Sequence, residues 1–150
     1  MNPFLLPPAE RLAEWRTFRN SLAGMEEDQQ LTVVAEWFSN APTNRFVLDF
    51  DNATGWPTPW EVMNDGNFCT TAIAYLMEQT LILIGWDIAR LSLHYVRNQN
   101  IQDQMMILLV DNTWALNYSF KLVFNFDKER SDCAYLVSYR PKAEGGHTQI

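Results

Sequence analysis

The chain has 150 residues, 47% hydrophobic and 13% aromatic, with a formal net charge of −7. That length and apolar content predict one globular domain with a sizeable core, not a disordered chain. The acidic balance argues against nucleic-acid binding through a basic face and against an anionic membrane surface as partner.

The first eight residues contain Pro3, Pro7 and Pro8 and read as an extended lead. Its apolar Phe4, Leu5 and Leu6 either pack on the domain or grip a partner. The lead has no basic n-region and no small-residue cleavage site, so it does not read as a signal peptide. A first helix is expected after Pro8, with Leu12, Trp15, Phe18 and Leu22 at helical spacing. Glu10, Arg11, Glu14 and Arg16 fall on its polar side, and Gly24 ends it. A second helix is expected to open near Asp28, the N-cap candidate, and to bury Leu31, Val34, Ala35 and Phe38. Trp15, Trp37 and Phe38 form an aromatic stripe that is expected in the core.

Residues 44–59 are rich in turn formers and read as a long loop. Trp56 and Trp60 at its end are candidate partner-binding residues. Thr58-Pro59-Trp60-Glu61 is a helix start, with Thr58 as N-cap and Glu61 three residues on. That short helix ends at Asp65-Gly66. A helix over 67–84 is apolar on nearly every side, which predicts a buried central helix. Glu78 and Gln79 are its polar patch, and Gly85 ends it. Strands are expected at 91–96, 105–110, 113–117, 121–126 and 134–139. Asp111-Asn112 makes a hairpin turn, 127–132 a charged turn, and 142–150 a frayed tail. Helices first and an antiparallel sheet after them make an α+β plan. The longest apolar run, 80–86, is too short to span a bilayer.

Cys69 falls at the start of the apolar helix, where the dipole and free backbone N–H groups favour a thiolate. Cysteine hydrolases keep their nucleophile in such a place. Nothing in the spacing of Cys69 and Cys133 asks for a disulfide, so both read as free thiols of a reducing compartment. Only His94 and His147 could act as a histidine base. His94 shares a strand face with Ser92 and Val96, and His147 sits in a glycine-rich tail. No metal site or cofactor is expected. The cysteines and histidines lack metal-ligand spacing, and Asp49, Asp51 and Asp65 do not complete a calcium loop. There is no Gly-rich phosphate loop and no nucleophile elbow.

The string WPTPWEVMNDGNFCTTAIAYLMEQTLILIGWD, with LSLHYV, QMMILLV and TWALN after it, resembles the bacterial transglutaminase-like cysteine peptidases. These are papain-like proteins with related members in bacteriophages. Their pattern is Trp-x-Thr-Pro-x-Glu, then Gly-Asp-Cys-Glu-Asp, a His-Met-Val strand and a Leu-Asp-Asn strand. The resemblance covers 56–117 and implies a papain-like or transglutaminase-like core. It places Cys69 at the nucleophile, Gln104 where the base histidine should be, and Asn117 where the orienting aspartate should be. Phe68, Thr70 and Thr71 replace the acids beside the cysteine. Glutamine cannot take a proton from a thiol at neutral pH.

The expected role is therefore a non-catalytic structural or protein-interaction module, a bacteriophage virion component of neck, tail or baseplate. Its expected partners are other phage structural proteins or a second copy, in the virion or host cytoplasm, and not nucleic acid or membrane. Two alternatives stand beside it. One is an active cysteine peptidase, amidase or acyltransferase using Cys69, with His94 as base. The other is a phage regulator that binds a host protein.

Overall fold

The computed structural model describes residues 2–43, 46–100, 102–118, 121–126 and 133–150. Among the described residues four α-helices come first: α1 (Pro8–Ser21), α2 (Glu27–Phe38), α3 (Pro59–Asp65) and α4 (Thr70–Leu83). Six strands follow: β1 (Leu91–Asn98), β2 (Asp103–Val110), β3 (Trp114–Tyr118), β4 (Lys121–Asn125), β5 (Cys133–Pro141) and β6 (His147–Gln149). They form one antiparallel sheet in the order β4-β3-β2-β1-β5-β6. The expected α+β architecture is the observed one.

The helices pack on one face of the sheet. Trp15, Phe38, Phe68, Met63 and Leu76 share a core there with Leu91, Leu93, Met106 and Leu108. α4 is buried almost all round, as its composition dictates. A second apolar cluster lies on the other face, built from Val96, Met105, Ile107, Leu109, Ala115 and Phe126. β2 serves both clusters by simple alternation, which is why its sequence is apolar on both faces.

Local chemistry explains the helix ends. Thr58 and Glu61 form the expected capping box at α3, and Gly66 closes that helix in the left-handed region (φ 74°). Asp111 and Asn112 both have positive φ, as a type I′ turn requires, and Thr113 N donates to Val110 O.

Several expectations need correcting. α2 opens at Glu27 with Glu26 as N-cap; Asp28 lies in the first turn, where its side chain accepts from Gln29 N. α4 starts at Thr70, so Cys69 is the N-cap residue rather than part of the first turn. Phe68 is pulled out of the helix by the core, where it meets Phe4 edge-on at 5.3 Å. Arg11 is not on a polar face. It is buried and donates to the carbonyls of Leu6, Met63 and Asn64, each at 2.6 Å. The tail over 142–150 is not frayed, because β6 pairs with β5 and His147 is buried against Glu78. The expected charged turn over 127–132 lies outside the described residues. No helix of the described residues is long and apolar enough to cross a membrane.

Candidate functional site

Cys69 is the N-cap of α4, in extended conformation (φ −126°, ψ 174°), with no side-chain capping bond. It is half-buried at the edge of the main core. The following residue fastens the helix start to the sheet. Thr70 Oγ1 accepts from Met106 N of β2 at 3.2 Å.

Asn117 completes that fastening. Regular alternation along β3 would send its side chain to the face of Ala115, away from the helices. Its φ of +70° instead swings the carboxamide to the helix side. There Nδ2 donates to Met106 O at 2.9 Å, Thr70 O at 3.0 Å and Thr70 Oγ1 at 3.1 Å. Asparagine tolerates the left-handed region better than most residues, and its amide is the donor that the two carbonyls need. Position 117 is therefore a strut between α4 and β2. An aspartate there would aim a carboxylate at two carbonyl oxygens. We predict that Asn117→Asp costs about 2 kcal/mol at neutral pH, more than Asn117→Gly. Urea midpoints of the two variants check this, and an equal or smaller loss for the aspartate would refute the strut.

Gln104 sits on β2 directly opposite Arg97 of β1. With its carbonyl turned to the guanidinium it accepts from Arg97 Nη2 at 3.1 Å and Nε at 3.3 Å. Thus Gln104, Asn117 and Thr70 come together at one groove beside the Cys69 helix start.

The two histidines lie elsewhere. Leu91, Leu93 and Tyr95 of β1 belong to the core that Cys69 borders, so Ser92, His94 and Val96 point to the opposite face. His94 is hydrogen-bonded at Nε2 to Ser92 Oγ (2.8 Å) and at Nδ1 to Ser138 Oγ (2.6 Å), and it stacks on Tyr135. Burial, helped by nearby Arg140, pushes its pKa down to about 4. The folded chain therefore resists a proton that the unfolded chain accepts near pH 6.5. Stability should fall as pH drops from about 6.5 to about 4, by on the order of 3 kcal/mol. Thermal unfolding of wild type and His94→Phe across that range tests the point. The variant should lose much of the slope, and an unchanged slope would refute the assignment.

His147 is bonded through Nε2 to Glu78 Oε1 at 2.7 Å. Glu78 is nine residues along α4 from Cys69, about 13 Å at 1.5 Å per residue. Neither histidine is thus placed against the Cys69 thiol. Cys133 is on the outer face beside Tyr118, and the two cysteines form no disulfide.

The candidate binding residues divide. Phe4 is buried against Trp37, Phe38 and Phe68, so the lead packs on its own chain, while Leu6 is half-buried and Leu5 is exposed. Trp56 is half-buried among Tyr75, Tyr139 and His147, and its Nε1 donates to Asp49 O at 2.7 Å. Trp60 is 47% exposed and meets Trp15 edge-on. The loop before Trp56 is also anchored. Phe50 stacks on Tyr95 at 3.9 Å, and Tyr139 donates to Phe50 O. Among the described residues no group of three or more His, Cys, Asp or Glu side chains is placed to hold a metal ion.

Sequence reasoning missed the Glu78–His147 pair and the Arg11 cradle. The signal for the first was a lone acid inside an otherwise apolar helix, which demands a partner.

No protein-family model matches the chain, and no curated protein matches it. Solved structures do. Calcium-bound LapG of Legionella pneumophila superposes with a TM-score of 0.69 at 20% identity, over 97% of this chain and 83% of that one. Another LapG structure from the same organism gives 0.68 at 21% identity, over 93% and 82%. EGTA-treated LapG gives 0.65 at 21% identity, over 95% and 78%. The shared architecture is the transglutaminase-like, papain-like α+β fold.

Proposed function

We propose that this chain is a non-catalytic protein of the transglutaminase-like fold that acts by binding other proteins. The observation that carries the reading is the surroundings of Cys69. The groove beside it offers Gln104, which has no basic nitrogen, and Asn117, whose amide is spent on the helix–sheet strut. A thiol nucleophile needs a base within hydrogen-bond reach and a group that orients the base. His94 faces the other side of the sheet, and His147 is engaged far along α4. The same constellation leaves a structured groove with no reaction to serve, which is the form a binding module takes.

The test is chemical. Alkylation of Cys69 by iodoacetamide at pH 6, read by mass spectrometry, should run no faster than that of free cysteine. Rapid alkylation, or peptide cleavage that vanishes in Cys69→Ala, would overturn the reading. A place in a phage particle belongs to the same proposal and rests on the resemblance across 56–117. Co-sedimentation with virions supports it; recovery only from the soluble lysate of infected cells counts against it.

A further inference from the structure

The groove itself indicates what kind of partner it takes. It lies between the end of α2, the first half of α4 and the β2–β4 edge of the sheet, with a volume of about 500 Å³. Phe38, Ile73 and Met77 give it an apolar floor, and exposed Leu122 forms one wall. Apolar concavities with a few convergent polar groups are the usual form of a recognition site.

Its polar groups are specific. Asn117 uses only Nδ2 in the strut, so among the described residues its carboxamide oxygen has no partner. Gln104 uses only its carbonyl toward Arg97, so its amide nitrogen remains a donor. A donor and an acceptor held on neighbouring strands match the C=O and N–H of a passing peptide unit. Asp103 is the only charged residue among the described residues that line the groove, and its side chain makes one local bond, to Gln104 N. Arg97, held by Gln104, does not line it.

We propose that this groove binds an extended segment of a partner protein, with one large apolar side chain on the floor and a lysine or arginine beside it at Asp103. The peptide backbone bridges Gln104 Nε2 and Asn117 Oδ1. The net charge of −7 adds long-range attraction for a basic partner. This inference rests on the non-catalytic reading, because a binding groove without a base retains its ligand unprocessed.

The experiment is selection of a random linear peptide library on the intact protein, followed by titration of synthetic copies of the enriched peptides. Enriched sequences should pair a large apolar residue with Lys or Arg, at Kd of about 100 µM or tighter. Asp103→Lys should weaken them about tenfold or more and favour acidic flanks. Thr43→Trp, at an exposed position on the groove lining, should block them without touching the core. No enrichment, or binding unchanged in both variants, overturns the proposal. The bound peptides are then incubated and weighed. Cleavage dependent on Cys69 would end the non-catalytic reading while leaving the groove assignment standing, so the two can fail separately.

Discussion

Replacing His147 with alanine should cost about 3–5 kcal/mol of stability, a large fraction of what holds a chain of this size. Glu78 is fully buried in α4, and His147 Nε2 is 2.7 Å from its Oε1. The other help is Gln79 Nε2, which donates to the same oxygen, so Oε2 is buried without a partner. Removing the imidazole leaves an acid sealed in an apolar helix and vacates the place that the imidazole fills among the rings of Tyr75, Tyr139 and Trp56. Urea unfolding measures the loss. A companion variant separates the pair from the fold of the tail: in Glu78→Met the acid is gone, so adding His147→Ala should then cost less than half as much. If His147→Ala costs the same in both backgrounds, the pair is not what secures the strand. A chain cut before residue 147 should behave like His147→Ala, since β6 reaches α4 through this side chain.

This pair also marks where the sequence was legible and where it was not. The helix over 70–83 could be read because an all-apolar stretch has one sensible location. The capping box at Thr58 could be read because both partners lie within four residues. The tail could not. Two glycines and short polar residues suggested fraying, but the partner that orders His147 lies 69 residues away. Arg11 failed for the same reason: helical periodicity placed it on a polar face, and carbonyls 52 and 53 residues distant drew it inside. At the candidate site, residue identities at 69, 104 and 117 were plain from the string, and so was a glutamine at the position where the resemblance expects a histidine. What the string concealed was the backbone twist at Asn117, which turns a nominally outward side chain toward the helices. Strand alternation assumes extended backbone, and one left-handed residue defeats it.

Arg11→Met should be the other severe variant, with an expected loss of about 4 kcal/mol. The guanidinium fork joins three segments. Nη1 donates to Leu6 O in the lead, while Nε and Nη2 donate to Met63 O and Asn64 O at the end of α3. A cation at a helix C-terminus satisfies orphan carbonyls and complements the dipole. Burial pulls the Arg11 pKa below its usual value, and Asp65 pulls it the other way. Methionine keeps an aliphatic stem but strands all three carbonyls. Lysine keeps the charge without the fork, so Arg11→Lys should recover less than half of the loss. Gly66 gives an independent check. A Cβ there would lie 2.7 Å from Arg11 Nη2, on a backbone with φ of +74°. Gly66→Ala should therefore destabilise by about 2 kcal/mol in wild type and by much less in Arg11→Met, where only the backbone strain remains. Additive losses in that double variant, or an Arg11→Met midpoint near wild type, would mean that the cradle does not hold α3. Because α3 leads through Gly66 directly to Cys69, the same variants should also raise the rate at which Cys69 is alkylated, by loosening the segment that fixes the start of α4.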